Sequence, residues 1–278
     1  MPVRIVQSKQ NARLKELRRA LIRPGRETHG LAGIEGINLV EEALDAELNV
    51  PCVFVAREAE GSLKGLSIPP STEVILIERK LLNTALATET PQPVAALVEV
   101  PDWTMAHILG PGKRTAPLVV VLAGVQDPGN LGTIVRSAEA FGASGILSLP
   151  GTVSAWNPKA VRASAGSVFR MPLIPTTESE CFAALRQAGT HILATTVYAA
   201  QPADTANLTG AVAFLIGNEG SGVPENLAAH ADASVTIPCP GAVESLNAAV
   251  AASVLLYEAS RQRLWASGGP RELRGSLR

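Results

Sequence analysis

A chain of 278 residues with 46% hydrophobic and 18% charged side chains holds enough apolar material for a large core, which excludes disorder over most of its length. A formal charge of -1 excludes a protein that coats nucleic acid through charge alone, and the three scattered cysteines, Cys52, Cys181 and Cys239, form neither a disulfide framework nor a zinc pattern and fit a reducing cytoplasm. The longest apolar stretch, around Pro117 to Val125, is too short to span a bilayer, so a soluble cytoplasmic protein without membrane partners is expected.

Positive charge is concentrated at the start. Arg4, Lys9, Arg13, Lys15, Arg18, Arg19, Arg23 and Arg26 stand against Glu16 alone. Ser8 is a candidate cap for a helix running to about Ile22, where Arg23-Pro24-Gly25 stops it. Its stripe of Leu14, Leu17 and Leu21 is surrounded by Arg13, Lys15, Arg18 and Arg19, which are either a solvated face or contacts to RNA phosphates. Further on, the patterns predict a helix over Gly36 to Glu47, strands over Val50 to Ala56 and Thr72 to Ile77, a helix over Arg79 to Ala87 and a strand over Val94 to Val100. Together these make a small α/β domain over residues 1–100. Residues 101–117, with Trp103, Gly110-Pro111-Gly112 and Lys113-Arg114, lack periodicity and read as a linker.

From Leu118 strands and helices alternate, which predicts a mainly parallel sheet flanked by helices over residues 118–267. The strands are Leu118 to Ala123, Gly145 to Leu149, His191 to Thr196, Ala211 to Ile216 and Ser234 to Ile237; the helices are Leu131 to Phe141, Lys159 to Ala165, Glu178 to Ala188, Val223 to Ala229 and Asn247 to Trp265. Residues 268–278 read as a frayed tail.

Ligands of such sheets bind beyond the carboxyl ends of the strands, and three loops there are unusual. In the first, Gln126-Asp127-Pro128-Gly129-Asn130 leads into a helix carrying Arg136 one and a half turns after Asn130. The second, Phe214-Leu215-Ile216-Gly217-Asn218-Glu219-Gly220-Ser221-Gly222-Val223-Pro224, ends a buried strand in glycines, spaced neither as a dinucleotide fingerprint nor as a P-loop. The third, Ile237-Pro238-Cys239-Pro240-Gly241-Ala242-Val243-Glu244-Ser245-Leu246-Asn247, runs into the terminal helix. Ser245 or Asn247 taken alone reads as a helix cap. The histidines His29, His107, His191 and His230 lie far apart without Asp or Cys at ligand spacing, so no metal is expected.

In order and spacing these segments resemble the SpoU, or TrmH, family of RNA 2′-O-ribose methyltransferases in the SPOUT superfamily. Asn157-Pro158-Lys159-Ala160-Val161-Arg162-Ala163-Ser164-Ala165-Gly166-Ser167-Val168-Phe169 is similar to the stretch between the family's first two motifs, and Ser8, Asn11, Lys15 and the Ile34-Glu35-Gly36 turn to its small substrate-binding domain. Pro93 departs from the family's Pro-Gln-Gly stretch. The resemblance implies a deep trefoil knot, a homodimer with Val250, Val254 and Leu255 as interface candidates, and S-adenosylmethionine as methyl donor. It places Gly217, Ile237 and Leu246 against the donor, with Thr195, Ile216 and Ser245 nearby, and makes Arg136 the catalytic arginine, assisted by Asn130, Glu219, Ser245 and Asn247. Arginine stays protonated, so clamping a phosphate and a developing 2′-oxyanion suits it better than accepting a proton. The expected substrate is RNA, 23S ribosomal RNA first; a tRNA enzyme, a catalytically silent RNA-binding homologue and a small-molecule nucleotide enzyme are the alternatives.

Overall fold

The computed structural model describes residues 2–23, 30–86, 88–110, 116–198, 200–243 and 245–266. Arg26, His29, Lys113, Arg114, Glu244 and the 268–278 tail lie outside them. The chain divides into two compact units, residues 1–102 with 154–170, and residues 103–153 with 171–278.

The first unit is built on a mixed sheet of β1 (Val3–Val6), β2 (Leu31–Glu35), β3 (Cys52–Ala56), β4 (Glu73–Ile77) and β5 (Val94–Glu99) in the order β1-β4-β3-β5-β2. β1, β4 and β3 run parallel, and β5 is antiparallel to both β3 and β2. The helices are α1 (Ala12–Ile22), α2 (Ile37–Asp45) and α3 (Arg79–Asn83). α1 starts later than Ser8 capping would give. Asn11 is its cap, accepting from the Leu14 amide at 3.2 Å, while Ser8 Oγ accepts from Gln10 N in the turn before it. Leu14, Leu17, Ala20 and Leu21 are its buried stripe.

β1 and β2 are strands that the periodicity does not reveal. The expected Ile34-Glu35-Gly36 turn is the end of β2, with only Gly36 turning, at φ 105°. Gly33 is needed there, since a Cβ would stand 2.6 Å from Leu21 Cγ. Glu35 is buried and accepts from Thr88 Oγ1 at 2.6 Å and Gln92 N at 2.8 Å. Pro93 leaves the sheet intact, its carbonyl accepting from Ala56 N at 2.8 Å.

Residues 154–170, placed by periodicity in the second domain, pack with this first unit. α6 (Pro158–Ser164) buries Ala160, Val161 and Ser164, and Val168 and Phe169 follow in a short 3-10 turn. Arg170 donates to Glu42 Oε2 of α2 at 2.7 Å.

The second unit opens with a short helix, α4 (Met105–Leu109), inside the stretch read as linker. Thr104 caps it together with His107, whose Nδ1 accepts from Thr104 N at 2.9 Å. A wholly parallel sheet follows, made of β6 (Leu118–Ala123), β7 (Gly145–Ser148), β8 (Leu173–Pro175), β9 (His191–Thr195), β10 (Gln201–Pro202), β11 (Val212–Gly217) and β12 (Ala233–Thr236) in the order β10-β12-β9-β11-β6-β7-β8. β6 and β11 lie side by side at its centre and are buried along their whole length, which explains their unbroken aliphatic runs. Val119, Val121 and Ala123 face the core under α4, α7 (Glu178–Gln187) and α8 (Glu225–Ala228). On α5 (Pro128–Ala140) and α9 (Ala248–Ala266), Ser137 bonds Ser253 at 2.7 Å and Phe141 meets Tyr257 edge-on. No helix among the described residues is long and apolar enough to cross a membrane.

Arg263 of α9 gathers the amino ends of the two central strands. Its guanidinium donates to the carbonyls of Leu208 at 3.0 Å, Ala116 at 2.7 Å, Pro117 at 3.2 Å and Gly210 at 2.5 Å, and partial burial pulls its pKa below the usual arginine value. Arg263→Met keeps the length and removes the donors, and is expected to lower the unfolding free energy by about 1–3 kcal/mol in urea titration.

Candidate active site at the carboxyl edge of the parallel sheet

Neighbouring strands β12, β9, β11 and β6 bring the three unusual loops to one edge of the sheet. After β6 the chain turns at Gly124, φ 80°, whose amide donates to Thr152 Oγ1 at 3.1 Å. Asp127 then caps α5, accepting from Asn130 N at 2.8 Å, with Pro128 in the first turn, where its missing N–H costs nothing. After β11 the chain doubles back. Asn218 and Gly222 exchange backbone hydrogen bonds of 3.0 and 2.9 Å. A Cβ on Gly217 would stand 2.0 Å from the Gly222 carbonyl carbon, so no other residue fits.

A directional chain of side chains joins the three loops. Glu219 Oε1 accepts from Asn130 Nδ2 at 2.9 Å and from the Asp127 amide at 3.3 Å, and its Oε2 accepts from the Gln126 amide at 3.4 Å. Asn130 Oδ1 in turn accepts from Asn247 Nδ2 at 3.0 Å. Asn247 Oδ1 receives Ala249 N at 2.9 Å and Val250 N at 3.2 Å, capping α9. Asn247 is thus both the helix cap and a member of the cluster. Desolvation works to raise the Glu219 pKa, but the hydrogen bonds from Asn130, Gln126 and Asp127 outweigh it and hold the carboxyl below its usual value.

Asn218 is a residue that the sequence reading passed over. Its Nδ2 donates to the Gly124 carbonyl at 2.9 Å and its Oδ1 accepts from Gly220 N at 2.9 Å, so it ties the second loop to the first. The signal was an asparagine at the closing position of a five-residue turn.

The remaining expected residues divide. Arg136 is exposed on α5 and makes no hydrogen bond or ion pair among the described residues. Ser245 is exposed in the third loop, and Ile237 and Leu246 are half-buried there. Ile216 is buried, so only its backbone faces the edge. The ladder between β9 and β11 ends at the Ala194–Leu215 pair, and Thr195 Oγ1 donates to the Leu215 carbonyl at 2.7 Å. Beyond that pair the β9-facing backbone of Ile216 and Gly217 leaves the ladder. Strand-end peptide groups beside half-buried aliphatic side chains fit a flat heteroaromatic group with a polar rim, such as an adenosyl moiety. Among the described residues no three His, Cys, Asp or Glu side chains converge as metal ligands.

In the first unit, Lys15, Arg18 and Arg19 lie exposed on one arc of α1. Arg13 is engaged instead, donating to Glu16 at 2.8 Å and Glu73 at 3.3 Å.

Comparison with known proteins bears on both units. Residues 117–257 match the SpoU rRNA Methylase family, and residues 11–96 match the MRM3-like substrate binding domain. The chain is 31% identical over 256 residues to the Bacillus subtilis 23S rRNA (guanosine(2553)-2′-O)-methyltransferase RlmP, covering 91% of this chain and 97% of that protein. Among solved structures, the SpoU methyltransferase AviRb of Streptomyces viridochromogenes, in complex with its cofactor AdoMet, superposes with a TM-score of 0.80 at 30% identity, covering 94% of this chain and all of that one. The AdoMet-bound rRNA methyltransferase of Sinorhizobium meliloti also has a TM-score of 0.80 at 30% identity, over 93% and 98% of the two chains.

A depressed carboxyl stabilises the fold above its unfolded-state pKa, about 4.3 for Glu, and that contribution is lost as pH falls through the lower folded value. Glu219→Gln is therefore expected to melt below the wild type at pH 7, and the difference in Tm to close as both proteins are taken below about pH 4. A gap independent of pH would contradict the role of the charge.

Proposed function

This chain belongs to the SpoU rRNA methylase family, and from that premise we propose that it transfers the methyl group of S-adenosylmethionine to a ribose 2′-hydroxyl of 23S ribosomal RNA, in the cytoplasm and as a homodimer. The observation that carries the reading is the joining of all three loops through Asn247, Asn130 and Glu219, together with an exposed arginine six residues after Asn130 on α5 that has no partner among the described residues.

The donor, when bound, supplies an electrophilic methyl group on a sulfonium. Gly217, Ile216, Ile237 and Leu246 would hold it, chiefly through peptide groups, with Thr195 and Ser245 at its margin. Asn130, Glu219 and Asn247 are already committed to one another, so their part is to hold the loops in register. Arg136 keeps its guanidinium free for RNA. Its N–H fork is suited to a backbone phosphate and to the charge that grows on the 2′-oxygen, and the hydroxyl proton passes to water, since guanidinium has no acceptor to offer. Ser245, exposed in the third loop, is positioned to orient the ribose.

RNA is also engaged by the first unit. Lys15, Arg18 and Arg19 present an exposed basic arc suited to phosphates, whereas the ion pairs of Arg13 give it a structural part in α1. The threading of the second and third loops into a trefoil knot belongs to the same reading. So does the dimer, supported by the exposed Val250, Val254 and Tyr257, which recur along α9 at helical spacing; Leu255, expected at the interface, is buried in the core instead.

Arg136→Lys keeps the charge and loses the fork, and is expected to lower kcat by about 100-fold while leaving the Kd for S-adenosylmethionine unchanged. Near-normal turnover would remove Arg136 from the chemistry. Ribose-methylation mapping of total RNA from cells with and without the gene should show one 23S position lost; loss at a tRNA position would select the tRNA reading. Light scattering is expected to give a dimer mass for the wild type and a monomer mass for a Val254→Asp, Tyr257→Asp double variant.

A further inference from the structure

The carboxyl edge carries an aromatic side chain that nothing above employs. Tyr198, three residues past Thr195, is 79% exposed, the most exposed of the large apolar side chains among the described residues, and Val197 beside it is 51% exposed. Neither the ring nor the hydroxyl of Tyr198 has a partner among the described residues. Of the other exposed apolar side chains among the described residues, Val250, Val254, Tyr257, Leu264 and Trp265 lie on α9, Val3 and Ile5 on the edge strand β1, Ile22 at the end of α1 and Val243, an aliphatic residue, in the third loop.

The backbone under Tyr198 is held on both sides. Thr195 Oγ1 donates to the Leu215 carbonyl of β11 at 2.7 Å, Thr196 N donates to the Val235 carbonyl of β12 at 3.1 Å, and Tyr198 N donates to Thr196 Oγ1 at 3.2 Å. β9 lies between β12 and β11, whose carboxyl ends lead into the third and second loops. A tyrosine on a turn tied to both neighbouring strands therefore stands exposed at the carboxyl edge, between the strands that lead into the second and third loops. An aromatic ring held this way on a surface that receives RNA has the properties of a stacking platform. It offers a flat apolar face at little entropic cost, and every base has a face to match.

We propose that Tyr198, flanked by Val197, stacks on a nucleobase of the bound RNA beside the methylated ribose and so contributes to substrate binding rather than to methyl-donor binding. The proposal rests on the methyltransferase reading above.

The test compares wild type, Tyr198→Ala, Tyr198→Phe and Tyr198→Trp, each as the full chain, with unmodified 23S rRNA transcript and S-adenosylmethionine. Tyr198→Ala is expected to raise KM for the RNA by about tenfold or more with the Kd for S-adenosylmethionine unchanged, since base–aromatic stacking is worth roughly that much. Tyr198→Phe and Tyr198→Trp should restore KM because both keep a ring. An unchanged KM in Tyr198→Ala overturns the proposal, as does a weakened donor Kd with RNA binding intact, which would make the ring a cover for the donor. Wild-type methyl transfer in the same assay is the control: its absence would count against the methyltransferase reading itself, not against the stacking role alone.

Discussion

A carboxylate accepts hydrogen bonds and never donates them, and the arrangement of the active edge follows from that asymmetry at Glu219. Asn130 must turn its NH2 toward the carboxylate, which leaves its carbonyl facing the other way, where only a donor is tolerated. Asn247 supplies that donor because its own carbonyl is held by the first amides of α9. Direction is thus passed from a charged group in the second loop, through the first, to the start of the last helix. Each link also settles which end of an amide points where, so the cluster has one self-consistent arrangement. The Gln126 and Asp127 amides, at the start of α5, complete it by giving the carboxylate further donors.

The parallel sheet makes this possible by placing remote segments side by side. β11 and β6 are adjacent although their paired residues, such as Leu118 and Val212, lie far apart in the chain, and the loops that follow them meet through Asn218 and the Gly124 carbonyl as well as through Glu219. Opposite the site, Arg263 collects carbonyls at the amino ends of the same two strands. The central strand pair is therefore secured at both ends by side chains from outside the sheet. Its interior needs only aliphatic packing, and burial pushes the thiol of Cys181 beneath it up to about 12, leaving an inert hydrophobe.

Division of labour between polar groups is the functional consequence. The amides and the carboxylate of the cluster are occupied by one another, whereas Arg136 and Ser245 have no such commitments among the described residues. Groups that hold the loops are distinct from groups left to meet RNA. A cluster that is internally satisfied keeps its geometry before any ligand arrives, which is the condition for electrostatic preorganisation.

Much of this was readable in the chain. The alternation from Leu118, the glycines of the second loop and the spacing from Asn130 to Arg136 identified the parallel sheet, its active edge and the family, because buried parallel strands demand unbroken aliphatic runs and close backbone approach demands glycine. What it did not reveal has a common cause. β1, β2, β8 and β10 are short or carry glycine or proline, and their strand character comes from a neighbour's ladder rather than from their own pattern. Residues 154–170 join the first unit through contacts with α2 and β2 that no local periodicity encodes. Arg13 and Lys15 look alike in sequence, and the structure ties the first to Glu16 and to Glu73, sixty residues away, while leaving the second exposed. The sequence by itself determined which side chains the site contains; the tertiary structure decided which of them hold one another and which remain free, because a hydrogen bond depends on the distance and direction of a partner that folding alone brings near.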